Sequence, residues 1–146
     1  MSKTGSCLCG AVSYRIENVP SETGACHCSM CRKWSGGVYM AVSVTAQDAQ
    51  IEGTENLTVF SSSEWGERGF CKTCGSSLFF RVTAPGPHFG SYHFGLGGID
   101  DPSGLRMSDE IFIDEKPDAY AFAGDTKKMT GAEFFAIYAG DGASTK

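Results

Sequence analysis

Val12, Tyr14 and Ile16 alternate with polar residues directly after Gly10, so a period of two puts all three on one face of a half-buried strand. Runs rich in β-branched and aromatic residues predict further strands over residues 38–44, 57–61, 66–71, 77–82, 92–96 and 110–113, each gap holding Gly, Pro, Asp or Ser. Residues 20–24 read as a loop, and Trp34, Ser35, Gly36 and Gly37 as a tight turn. Two segments break the alternation. Residues 118–123 suit a helical turn after Pro117, and Thr130 with Glu133 has capping-box spacing before Phe134, Phe135, Ile137 and Tyr138, which predicts a short helix over about 130–139. Residues 140–146 read as a frayed tail. The expected fold class is mainly β with short peripheral helices.

The chain has 146 residues, which the usual size of a domain makes one domain spanning 1–146. Nineteen glycines and ten phenylalanines fit short strands and turns better than a helical bundle. The first residues carry no basic and apolar leader, and no apolar run approaches the roughly 18 residues of a membrane span. The expectation is a soluble cytoplasmic protein without a membrane partner. A net charge of −5, with Arg32-Lys33 and Lys127-Lys128 as the only basic doublets, argues against nucleic acid, whose binding depends on clustered cations.

Seven cysteines change this picture. In a reducing compartment thiols point to metal or redox chemistry, and an odd number cannot be fully paired. Cys71 and Cys74 form a CxxC knuckle whose two intervening residues aim both sulfurs at one point, and Cys7 and Cys9 offer a matching pair. Four thiolates saturate a tetrahedral zinc, so this set reads as structural. A thioredoxin-like role for Cys71 and Cys74 lacks the βαβ context.

Cys26, Cys28 and Cys31 place three thiols within six residues. If residues 26–28 are extended, Cys26 and Cys28 face one way and His27 the other, and a turn returns Cys31 to the same point. Three thiolates suit zinc and leave one tetrahedral position, to be filled by a substrate or by a histidine, with His27 disfavoured by its face and His88 and His93 still open. Such a complex carries one net negative charge and is a poor activator of water, yet a thiol entering it is deprotonated outright. Deaminase chemistry would need an H-x-E arrangement, whereas His27, His88 and His93 are followed two residues on by Ser29, Gly90 and Gly95.

Gly5-x-Cys7-x-Cys9-Gly10-x-Val12, Cys26-His27-Cys28-x-x-Cys31-Arg32 and Arg68-x-Phe70-Cys71-x-x-Cys74-Gly75-Ser76-x-Leu78 together resemble the glutathione-dependent formaldehyde-activating enzyme family, or centromere protein V/GFA domain, over about residues 5–118. The resemblance implies a β-tent fold with zinc-ribbon-type knuckles, a structural zinc on Cys7, Cys9, Cys71 and Cys74, and a catalytic zinc on Cys26, Cys28 and Cys31. It also implies a carbon–sulfur lyase-type reaction in which glutathione and formaldehyde combine to S-(hydroxymethyl)glutathione. Arg32 suits a substrate carboxylate and Trp34 a pocket wall, against the plainer roles of a surface ion pair and a core aromatic. Glu110, Ile111, Phe112 and Ile113 stand where many members of that family place a histidine before an apolar run. The competing class is a non-catalytic zinc module that binds a protein partner, but this acidic chain lacks the basic arm such a module would carry.

Overall fold

A computed structural model of the chain describes residues 1–139. The elements are β1 (Lys3–Ser6), β2 (Ser13–Ile16), β3 (Glu22–Cys26), α1 (Ser29–Ser35), β4 (Tyr39–Val44), β5 (Ala49–Glu52), β6 (Leu57–Ser63), β7 (Gly66–Cys71), β8 (Ser77–Val82), β9 (Tyr92–Gly95), β10 (Arg106–Ile111), β11 (Lys127–Met129) and α2 (Gly131–Phe134). The mainly β class follows the alternation in the sequence. The expected tail at 140–146 lies outside the described residues, among which no helix is long and apolar enough to cross a membrane.

The chain divides into two compact units. One joins Met1–Ser21 to Ala41–Leu105. In it β1, β2 and β5 form an antiparallel sheet, and β4, β9, β8, β7 and β6 pair antiparallel in that order. The period-two pattern acts as expected: β2 buries Tyr14 and Ile16 between exposed or half-buried Ser13 and Arg15, and β4 buries Val42 and Val44 around exposed Ser43. Phe94 is fully buried, stacks on Tyr14 with ring centroids 4.2 Å apart and meets the edge of Phe79 at 5.7 Å. Burying a ring of this size contributes about 1.5–3 kcal/mol. Lys3 is buried as well, because its Nζ donates to the Asp101 and Ser103 carbonyls at 2.6 and 2.7 Å.

The other unit joins Glu22–Met40 to the residues from Arg106 onward. Here β3 and β11 flank β10, both parallel to it. The loop expected at 20–24 is therefore a strand from Glu22; Pro20 and Gly24 masked an alternation that buries Thr23 and Ala25. Gly24 is required there by the Asp109 carboxylate, whose Oδ2 would lie 3.0 Å from an added Cβ.

The turn expected at Trp34–Gly37 is instead the end of α1. Gly36 is its C-cap, with φ at 87° and its N–H donating to Arg32 O at 2.8 Å, as left-handed helix ends favour. β10 starts earlier than expected and stops at Ile111, since Phe112 adopts φ 57° and opens a single 3-10 turn at Ile113–Glu115. Residues 118–123 hold a turn at 118–119 and a bend at 123 but no helix, and the Tyr120 and Phe122 rings both lie within 6.1 Å of the His27 ring. The C-terminal segment is α-helical over Gly131–Phe134 and π-helical over Phe135–Ala139, and its capping box is formed in both directions by Thr130 and Glu133.

Candidate metal centres

In the first unit Cys7 directly follows β1, Cys9 comes after a turn that leaves Leu8 90% exposed, Cys71 closes β7 and Cys74 lies on the turn before β8. Cys7 Sγ accepts from Val12 N at 3.3 Å, and Cys71 Sγ accepts from Thr73 N and Cys74 N at 3.3 and 3.5 Å. The four sulfurs lie within 4.8 Å of one another. Cys9 Sγ stands 3.7 Å from Cys7 Sγ and 3.8 Å from Cys71 Sγ. A tetrahedron with zinc–sulfur bonds of about 2.3 Å has edges of about 3.8 Å, so the donor set fits zinc in both type and spacing. No pair is a disulfide.

The thiols are polarised unequally. The Ser76 hydroxyl, then backbone N–H groups, bring Cys74 down to about 5, and the backbone N–H groups of Cys74 and Thr73 lower Cys71. The Ala11 backbone favours the Cys9 thiolate, but burial and the three neighbouring thiols outweigh it and push Cys9 up to about 11. Crowded thiols cannot all ionise by themselves, and a dication among them removes that conflict.

In the second unit Cys26 ends β3, Cys28 caps α1 and Cys31 sits in its first turn. Cys28 Sγ accepts from Cys31 N at 3.3 Å, and Glu115 Oε1 accepts from Ser29 N at 2.8 Å, so the helix start is tied down by both. The three sulfurs lie within 4.8 Å of one another, with Cys31 buried and the other two half-buried. Hydrogen bonds from Cys26 and Cys31 bring Cys28 down to about 2, while hydrogen bonds with Cys28 and Cys31, together with burial, push Cys26 up. Among the described residues no histidine or carboxylate is grouped with these three sulfurs, His27, His88 and His93 included. Three thiolates again fit a soft or borderline cation, one donor short of a tetrahedral set.

His27 faces away from the sulfurs, fully buried. Its Nδ1 is 2.8 Å from Tyr120 Oη and its Nε2 is 2.8 Å from Glu110 Oε1. Glu110 is itself buried; burial alone would raise its carboxyl, but the Thr126 and His27 hydrogen bonds and the charges of His27 and Lys128 outweigh that and lower it. Arg32 Nε donates to His27 O at 3.0 Å, and its terminal nitrogens make no other protein hydrogen bond among the described residues. Trp34 packs edge-on to Tyr39 at 5.4 Å. Sequence reasoning missed Glu110 and Tyr120 as members of this site. The available signal was a carboxylate opening the apolar run Ile111, Phe112 and Ile113.

The family model described as glutathione-dependent formaldehyde-activating enzyme matches residues 2–115. A Schizosaccharomyces pombe protein named as an uncharacterised lyase is 35% identical over 127 residues, covering 86% of this chain and 89% of that protein. A Halomonas elongata protein provisionally named glutathione-dependent formaldehyde-activating enzyme is 35% identical over 83 residues, or 51% of this chain and 53% of its own length. A Podospora anserina protein with the same provisional name is 30% identical over 92 residues, 60% of this chain and 43% of its own length. The chain thus spans about half the length of these last two. A crystal structure of a Rhodobacter sphaeroides protein shares the fold, with a TM-score of 0.57 at 24% identity over 72% of this chain and 99% of that one.

Proposed function

The chain belongs to the glutathione-dependent formaldehyde-activating enzyme family, and from that premise we propose that it is a zinc-dependent carbon–sulfur lyase-type enzyme joining glutathione, or a similar thiol, to formaldehyde or another small aldehyde. The observation that carries this reading is the division of seven cysteines into a group of four and a group of three. The four-sulfur group is the structural zinc site and has no donor left to exchange. The three-sulfur group is the catalytic one, and zinc there supplies acidity to a thiol.

In the reaction a sulfur–carbon bond forms, the carbonyl π pair passes to oxygen, and the thiol proton ends on that oxygen. The chain's own residues hold and orient. Cys26, Cys28 and Cys31 present their sulfurs from a strand end and a helix start, which are rigid supports. Arg32, anchored through Nε, offers its terminal nitrogens to a substrate carboxylate, and Trp34, packed edge-on to Tyr39, forms a wall of the pocket. Holding thiol and aldehyde together accounts for much of the acceleration. The compartment is the cytoplasm, where glutathione is plentiful and thiols stay reduced.

The experiment is the rate of S-(hydroxymethyl)glutathione formation over the uncatalysed rate, with the wild-type chain and with Cys28→Ser. Acceleration by the first and none by the second is expected. Equal rates in both would remove the three-sulfur group from the mechanism.

A further inference from the structure

Every polar atom of His27 is bonded. Its backbone N donates to Ile111 O at 3.1 Å and its O accepts from Arg32 Nε at 3.0 Å. Its ring nitrogens meet Tyr120 Oη and Glu110 Oε1, both at 2.8 Å. The carboxylate is held in turn: Thr126 Oγ1 donates to Glu110 Oε2, and Lys128 Nζ sits 3.8 Å from that oxygen and 3.0 Å from Thr126 Oγ1. All of this is packed on β10 and the segment after it, beside the strand that carries Cys26 in register with Ile111.

Burying an acid and an imidazole, with a half-buried phenol against them, costs free energy, and hydrophobic residues of the same volume would fill this space as well or better. Stability therefore does not explain the arrangement. Geometry does. His27 lies between two of the three cysteines, so fixing its backbone at two atoms and its ring at two more sets the directions in which Cys26 and Cys28 project.

We infer that His27, gripped by Glu110 and Tyr120, is the positioning residue of the three-sulfur site, holding Cys26 and Cys28 at the spacing a metal requires. No role as ligand or proton carrier is implied. The inference rests on the metal half of the proposed function and is independent of the substrate.

Metal binding tests it in the full-length chain, stripped of metal and titrated with Co2+, whose thiolate charge-transfer band reports sulfur ligation. His27→Phe with Glu110→Leu replaces the polar pair by apolar groups of similar volume, and Tyr120→Phe removes a single hydroxyl. The first equivalent, in the Cys7–Cys9–Cys71–Cys74 group, is the internal reference. Loss of supporting partners of this kind costs about 10–100-fold in metal affinity, and the double variant is expected to lose that much for the second equivalent, with an altered band. Tyr120→Phe is expected to lose less, in the same direction.

A purely structural pair predicts the opposite: the well-packed double variant would bind the second equivalent as tightly as the wild type, with the same spectrum, and that overturns the inference. Should the double variant not fold, unchanged affinity and spectrum in Tyr120→Phe overturn it instead. A wild-type chain that takes up only one equivalent would sink the metal reading, an outcome distinct from both.

Discussion

Cys9 Sγ and Cys71 Sγ stand 3.8 Å apart although 62 residues separate them in the chain. That distance is the edge of a zinc–thiolate tetrahedron, about 3.8 Å for bonds of about 2.3 Å. The closure joins the end of β7 to the loop after β1, and stability should depend on it. Cys74→Ser is expected to lower the thermal midpoint by on the order of 10 °C, the scale of losing about 3 kcal/mol in a chain of this size. Cys28→Ser should leave the midpoint within about 2 °C, because serine caps a helix at least as well as cysteine. Equal shifts by circular dichroism would contradict this division.

How much of this could be read from residues alone depends on where each partner lies. β7 and β8 have the expected bounds, since alternation between turn residues is local information. β3 was missed because of Pro20 and Gly24, and β1, β5 and β11 because they carry Lys3, Gln50, Glu52, Lys127 and Lys128; a lysine such as Lys3 is buried only by virtue of carbonyls about a hundred residues away. Both cysteine groups were legible, being spaced motifs. Glu110 was not, as its partner His27 is 83 residues distant.

Phe80 and Phe79 lie over β7 where it has no side chains. An added Cβ at Gly66 would sit 2.1 Å from Phe80 Cε1, and one at Gly69 2.3 Å from Phe79 Cζ. Gly66→Ala and Gly69→Ala should each destabilise by about 1–3 kcal/mol, the usual cost of overpacking. Gly37→Ala, which meets nothing within 4 Å, should stay within about 0.5 kcal/mol. Urea unfolding midpoints compare the three.

His93 carries a pH dependence of definite sign. Burial, followed by neighbouring His88, depresses it from 6.5 to about 4, while its Nδ1 is 2.7 Å from Ser43 Oγ. As pH falls from 6.5 to about 4 the unfolded chain takes up a proton that the folded chain refuses, so stability declines across that window and levels off below it. His93→Gln removes this contribution and should lose fewer degrees of thermal midpoint between those limits than the wild type. Parallel curves would contradict the assignment.

Arg32 is committed to the His27 carbonyl through Nε. Arg32→Lys keeps the charge and loses the fork, so the KM for the thiol should rise about tenfold while bound metal is unchanged. An unaltered KM would reduce Arg32 to a clasp on the loop.

The most direct test of the account is zinc per chain, by elemental analysis of protein prepared without chelator or affinity metal. Two equivalents are predicted, one for the group of four sulfurs and one for the group of three. A single equivalent, retained by Cys28→Ser and lost by Cys74→Ser, would contradict it, leaving a structural ribbon without the centre on which the chemistry depends.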